Sequence, residues 1–171
     1  MHEIIVLRVV HVLGGLFWVG SALFNSIYLF PAMKSAGAAA GAIMGSMRQR
    51  HLFIVVPGIA LLTILSGVRL MWITSADFSA AYFQSGRGST FAWGGTFAIV
   101  AFLLGVFVGR PTGMRMGTVQ QALANATDDP TRGELSGQLA RLNRRSMIIG
   151  WTANALLILA ASFMAAARYV V

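Results

Sequence analysis

Four long runs of apolar residues dominate the chain, and the connections between them hold nearly all of its charge. A hydrocarbon core of about 30 Å is crossed by roughly 20 helical residues, which matches these runs. None alternates with the period of a strand, and lipid cannot satisfy open strand edges. The pattern predicts an all-α protein, with residues 1–171 as one transmembrane four-helix bundle. The spans are predicted at about residues 4–30, 52–73, 91–108 and 147–167.

Local breakers and periodicity refine the connections. Pro31 predicts the end of the first helix, and Asp128-Asp129-Pro130 predicts a turn before the fourth span. The stretch 35–47, rich in Ala, Gly and Met, is expected to prolong a helix or to pack on the membrane surface. After the turn, leucines at helical spacing predict an apolar stripe that runs into the fourth span: Leu135, Leu139 and Leu142.

The composition agrees with a membrane protein. Hydrophobic residues make up 57% of the chain and charged residues only 11%, with a mean hydropathy of +0.73. A soluble domain of this length needs more charge on its surface, so the lipid bilayer is the expected partner. The chain has no cysteine, which excludes disulfides, thiolate metal sites and cysteine nucleophiles.

The basic residues predict orientation rather than nucleic-acid binding. The net charge is +8, from 13 Lys and Arg against 5 Asp and Glu. Lys34, Arg48 and Arg50 lie in the first connection, six arginines lie in the third, and Arg87 is the cation of the second. Because cytoplasmic loops carry the excess of Lys and Arg, the first and third connections are predicted inside. Both termini then lie outside, and no nucleic-acid partner is expected.

Few polar residues lie at membrane depth, and most of the informative ones are on one face of the first span. No span contains Asp or Glu, which argues against a carboxylate proton relay. In the first span, polar, small and aromatic residues recur at helical spacing: Arg8, His11, Gly15, Trp18, Ala22 and Asn25. In a lipid bilayer, such a polar helix face is expected to point towards the interior of the bundle. The alternative for His11 is a simple hydrogen bond to a carbonyl across a helix contact.

This face suggests a b-type haem site in the outer leaflet. Arg8 and His11 come early in an inward-running span, and Arg69 comes late in an outward-running one. An imidazole for iron and guanidinium groups for the propionates are what a haem requires. We therefore take His11 as the metal ligand, with Arg8, Arg69 and Trp18 as further cofactor-binding candidates. Alternatively, the arginines reach for the outer headgroups, beside acidic residues near the same surface.

A second histidine ligand is not expected. His51 lies at the cytoplasmic start of the second span, so much of a core of about 30 Å separates it from His11. The iron would be five-coordinate or would take methionine as its second ligand. Met71 and Met164 are the outer-leaflet candidates, although methionine in a span is more often a packing residue.

The first two spans carry a resemblance to known proteins. His11-Val-Leu-Gly-Gly-Leu-Phe-Trp18-Val-Gly20 resembles the opening helix of the CopD-like bacterial membrane proteins, and the segment 48–67 continues the likeness. It is also distantly similar to HemJ-type protoporphyrinogen oxidases. The resemblance implies a four-helix, haem-associated protein of the bacterial inner membrane, with His11 as the matching histidine.

Two functions follow from this reading of the chain. The first is a haem-binding protein of membrane redox chemistry that uses His11. The second is a non-catalytic accessory or scaffold subunit, whose polar face binds other membrane subunits or a second copy of the chain. The span at 91–108 contains no His, Lys or Arg, which favours the second, whereas the grouped His and Arg residues favour the first.

Overall fold

The structure, a computed structural model, describes residues 2–37 and 39–170. Six helices make up this part of the chain. They are α1 (His2–Ser35), α2 (Ala39–Gln49), α3 (Leu52–Thr74), α4 (Ala80–Gln84), α5 (Gly86–Asn125) and α6 (Asp129–Tyr169). The last turn of α6, Ala167–Tyr169, is a 3-10 helix. Residues 39–49 form the separate helix α2 rather than a continuation of α1.

Four of the helices, α1, α3, α5 and α6, are long and apolar enough to cross a membrane. They correspond to the four predicted runs, and the described residues contain no strand, so the all-α prediction is confirmed. The four form an up-and-down bundle, in which each helix packs on the next and α6 returns to α1. We call the end that holds both chain termini the terminal end, and the opposite end the hairpin end.

The interior of the bundle is small and is lined mostly by small side chains. Its buried apolar centre takes one residue from each long helix: Trp18, Ala60, Ala101 and Leu157. The Trp18 ring meets Phe102 edge to face, with 6.3 Å between centroids. Large apolar side chains instead face outward, as at Phe107, which is 71% exposed. A water-soluble bundle buries its large apolar residues, so this surface is suited to an apolar surrounding.

The sequence predicts that the first helix ends at Pro31, but α1 continues through this proline to Ser35. Pro31 and Pro111 each follow closely after a five-residue π-turn, Asn25–Leu29 and Gly105–Gly109. After each π-turn the next backbone N–H donates to the carbonyl five residues back. Proline has no N–H, and its ring crowds the carbonyl four residues back. The wider turn relieves that crowding, so the helix continues instead of ending.

Helices α5 and α6 form a hairpin that is longer than a membrane is thick. They contain 40 and 41 residues, or about 60 Å each at 1.5 Å per residue. At the tip, the Asp128 carboxylate accepts a hydrogen bond from the Thr131 N–H at 2.9 Å and caps α6. Bonds from the side chain and backbone of Thr131 hold the pKa of Asp128 below its usual value. The predicted turn is therefore present, and the leucine stripe lies half-buried within α6.

The close approach of α1 to α3 predicts a specific cost at Gly14. A Cβ placed there would overlap the Thr63 hydroxyl, which donates to the Ile59 carbonyl at 2.8 Å. Overpacking typically costs about 1–3 kcal/mol, so Gly14→Ala should lower the Tm by several degrees. The measurement is thermal unfolding in detergent, followed by circular dichroism. Gly20 on the same helix has open space around it, and Gly20→Ala should not lower the Tm. Equal Tm values for the two variants would contradict the packing argument.

Candidate functional site

His11 connects α1 to α3 through a backbone carbonyl. Its Nδ1 lies 2.8 Å from the Thr63 carbonyl oxygen, and the ring is partly buried. A carbonyl can only accept, so Nδ1 carries the proton, and Nε2 keeps an in-plane lone pair. The Ser66 hydroxyl donates to the same carbonyl at 2.9 Å and lies 3.5 Å from Nδ1. A histidine held in this way resembles a metal ligand, because such ligands usually donate their second N–H to a carbonyl, carboxylate or water.

Glycine makes the contact possible. A Cβ on Gly67 would stand 2.6 Å from Cε1 of His11 and 3.0 Å from its Nδ1. Cε1 and Nδ1 of the imidazole therefore lie close against a bare stretch of α3 backbone. On the other side, Gly14 and Gly15 of α1 face Thr63. Small residues on both helices let the backbones approach closely, as is common where membrane helices pack.

The two arginines predicted near the cofactor have different surroundings. Arg69 forms an ion pair with Glu3 of α1, with Nη2 and Nε 2.8 and 2.9 Å from one carboxylate oxygen. Its guanidinium also stands 5.8 Å from the centre of the Trp72 ring, within the range of a cation–π contact. Arg8 is exposed on α1. Arg69 thus has a carboxylate partner. This agrees with the alternative hypothesis, in which the arginines reach for the outer headgroups beside acidic residues.

Next to Arg69, the chain leaves α3 through a strained turn. Ala76, Asp77 and Phe78 have φ values of 50°, 58° and 61°, a region that costs L-residues roughly 1–2 kcal/mol each. Ser75, almost fully buried, holds the turn, because its hydroxyl accepts from the Phe78 N–H at 2.9 Å. The Trp72 indole N–H donates to Asp77. Trp72 therefore links the ion pair to the turn.

The other candidate residues, and His51, have different surroundings. Trp18 belongs to the buried centre, 8% exposed, rather than to an open face. His51 is the exposed N-cap of α3 at the hairpin end. It is 16 residues before the Gly67 that His11 touches, or about 24 Å along the helix. Met71 and Met164 pack towards neighbouring glycines of α5, Gly95 and Gly94.

Among the described residues, Asn154 is the largest side chain that is fully buried, at 2% exposure. Within the described part of the chain, its Nδ2 has no hydrogen-bond partner. It lies on α6 one turn from Gly150, which faces Ser26 of α1, and about one turn from the core residue Leu157. A buried amide N–H without a partner costs free energy. In the sequence, Asn154 is seen only as a polar residue within the fourth apolar run.

The site that the structure assembles is therefore one imidazole on a small polar patch of α3. Among residues 2–37 and 39–170, no group of three or more His, Asp or Glu side chains could hold a metal ion. Sequence reasoning named His11 but did not identify its partners, Thr63, Ser66 and Gly67. Their spacing of three and one residues along the second span places them on one helix face, which is the signal that could have shown them.

Comparison with protein-family models, curated proteins and solved structures finds no match to this chain. The likeness to CopD-like proteins therefore rests on the residues of the first two spans and stays a prediction.

The packing of His11 against α3 predicts a selective response at Gly67. Gly67→Ala should displace the imidazole and break its bond to Thr63, because the new methyl group would overlap Cε1. The measurement is the 15N NMR spectrum of the protein labelled at histidine, in which a protonated Nδ1 and a bare Nε2 have distinct shifts. Gly58 of α3 has open space around it, so Gly58→Ala is the matched control and should leave the spectrum unchanged. An unaltered His11 signal in Gly67→Ala would refute the contact.

Proposed function

We propose that this chain is a bacterial inner-membrane protein that binds a b-type haem through Nε2 of His11 and acts in membrane redox chemistry. The observation that carries the proposal is the bond from Nδ1 of His11 to the Thr63 carbonyl. That bond selects the tautomer whose free lone pair is on Nε2 and orients the ring before any ligand arrives. Histidine ligands of iron are commonly held in this way.

Insertion into a membrane is part of the proposal. Four helices have the required length and hydropathy, and large apolar side chains cover their outer surfaces. The excess of Lys and Arg in the first and third connections supports a hairpin end in the cytoplasm and both termini outside.

The other residues predicted to bind the cofactor, Arg8, Arg69 and Trp18, are less well placed for a haem than His11. Arg8, exposed on the same helix as His11, is available to a propionate. Arg69 would have to share its guanidinium with Glu3, and Trp18 would support the site only from the bundle centre. When bound, a haem would supply one-electron chemistry, with its potential tuned by the axial imidazole and the apolar surroundings. The chain's own contribution is to hold the imidazole and to exclude water.

A second function, an accessory or scaffold subunit of a larger membrane complex, is favoured by a different observation. Three of the four residues predicted around the cofactor already contact other residues of the chain. His11 bonds Thr63, Arg69 pairs with Glu3, and Trp18 packs on Phe102. In that case, the polar face stabilises the fold and has no ligand.

The orientation has a direct test. A reporter active only in the periplasm and one active only in the cytoplasm are fused in turn to the C-terminus and inserted at the hairpin tip, between Thr127 and Asp128. We expect the periplasmic reporter to work at the C-terminus and the cytoplasmic reporter to work at the tip, because of the loop charges. The reverse pattern would refute the orientation, and a chain found in the soluble fraction would refute insertion.

Haem binding is tested by the visible spectrum of the detergent-purified protein, oxidised and then reduced. The wild-type protein should show a Soret band, and His11→Ala should abolish it, since neither arginine nor a displaced methionine replaces an imidazole there. His51→Ala is the matched control and should keep the band, because His51 lies at the hairpin end.

Two results would count against this assignment. A colourless wild-type protein that co-purifies with other membrane chains would favour the accessory subunit. A band that survives His11→Ala but not His51→Ala would move the ligand to the hairpin end.

A further inference from the structure

A groove rich in arginine runs between α5 and α6. It lies near the point where the two helices leave their apolar runs, which we call the base of the hairpin. Arg115 lines it from α5, and Arg141 and Arg145 line it from α6. Its volume of about 460 Å³ falls within the range of roughly 300–1,000 Å³ that is usual for small-ligand sites. All three arginines are exposed. None of them is ion-paired in the part of the chain that the structure describes.

The charge of the hairpin is divided between its base and its tip. The acidic residues, Asp128, Asp129 and Glu134, all lie at or near the tip. Residues 110–125 and 136–146 contain five arginines and no Asp or Glu. The electrostatic potential around the groove is therefore positive, because no acidic residue in these two segments offsets the arginines.

The depth of the groove also matters. Arg145 lies two residues before the apolar run that begins at Met147, Arg141 lies six residues before it, and Arg115 lies seven residues after Val108. At 1.5 Å per residue these positions are about 3, 9 and 10 Å from the apolar runs, and the headgroup layer on each side of a bilayer is roughly 5–7 Å thick. In an inserted bundle, Arg145 would lie within the headgroup layer, and the long side chains of Arg141 and Arg115 would reach back towards it.

We propose that this groove binds the phosphate of an anionic phospholipid headgroup. A guanidinium offers a planar pair of donors that matches two oxygens of a phosphate, and three of them around one groove can surround the group. Thr118 and Gln138 add neutral hydrogen-bonding groups, while Val119 and Leu142 provide apolar wall for the glycerol and upper acyl chain. The proposal rests on membrane insertion but not on haem.

Orientation alone does not account for the arrangement. The rule that loops facing the cytoplasm are basic requires charge, but it does not require three arginines on one groove. Arg110 and Arg144 are also exposed and also lie at the base of the hairpin, yet neither lines the groove. Substituting Arg110 and Arg144 therefore removes the same charge from outside the groove and serves as the control.

The experiment measures lipid binding to the purified protein in detergent by native mass spectrometry. The probes are phosphatidylglycerol, phosphatidylcholine and inorganic pyrophosphate. The wild-type protein should bind phosphatidylglycerol in preference to phosphatidylcholine. The groove variant Arg141→Gln/Arg145→Gln should weaken phosphatidylglycerol binding by on the order of tenfold or more. The control variant Arg110→Gln/Arg144→Gln should change it little. Circular dichroism checks that both variants are folded.

Three results would overturn the proposal. Equal losses in the two variants would show that overall charge attracts the lipid without a site. Equal binding of the two lipids would show that the headgroup charge is not recognised. Displacement of phosphatidylglycerol by low concentrations of pyrophosphate would assign the groove to a soluble phosphate compound. If the groove variant does not fold, Arg141→Gln against Arg144→Gln makes the same comparison with one charge. These outcomes are independent of the Soret band, and the reporter fusions test insertion separately.

Discussion

The close approach of α1 to α3 is the contact on which the candidate site depends. A residue with a side chain at Gly14 or Gly67 would push the two helices apart or displace the imidazole. At this separation, His11 reaches a backbone carbonyl that already serves the hydroxyl of Ser66. The same contact determines which imidazole nitrogen carries the proton, so helix packing and the chemistry available to the histidine are linked.

Among the described residues few polar side chains are buried, and two of them, Thr63 and Ser66, lie at this contact. Both donate their hydroxyl protons to carbonyls of α3 itself, which satisfies these two donors without a partner from α1. Asn154, on the opposite helix pair, is buried with its Nδ2 unpartnered among the described residues. The buried centre around Trp18, by contrast, is apolar.

The charged residues are organised by the ends of the bundle rather than by its interior. At the terminal end, Glu3 and Arg69 join α1 to α3, and Trp72 connects that pair to a turn with three consecutive positive φ angles. At the hairpin end, arginines without acidic neighbours line the base of a long helical pair. One end thus carries an exposed ion pair between two helices, and the other presents arginines that have no acidic partner among the described residues.

The sequence by itself determined the number of long helices and the position of the hairpin turn. Each of these depends on local hydrophobic runs, on caps such as Asp128 and on the spacing of the leucines, all of which are properties of neighbouring residues. It also identified His11 as the histidine at depth. Only the structure shows that α1 passes through Pro31, because the wider turn that accommodates the proline is a feature of the folded backbone. Only the tertiary structure decided that Nδ1 of His11 donates to Thr63 and that Arg69 pairs with Glu3, because these contacts depend on which distant residues meet when the helices pack.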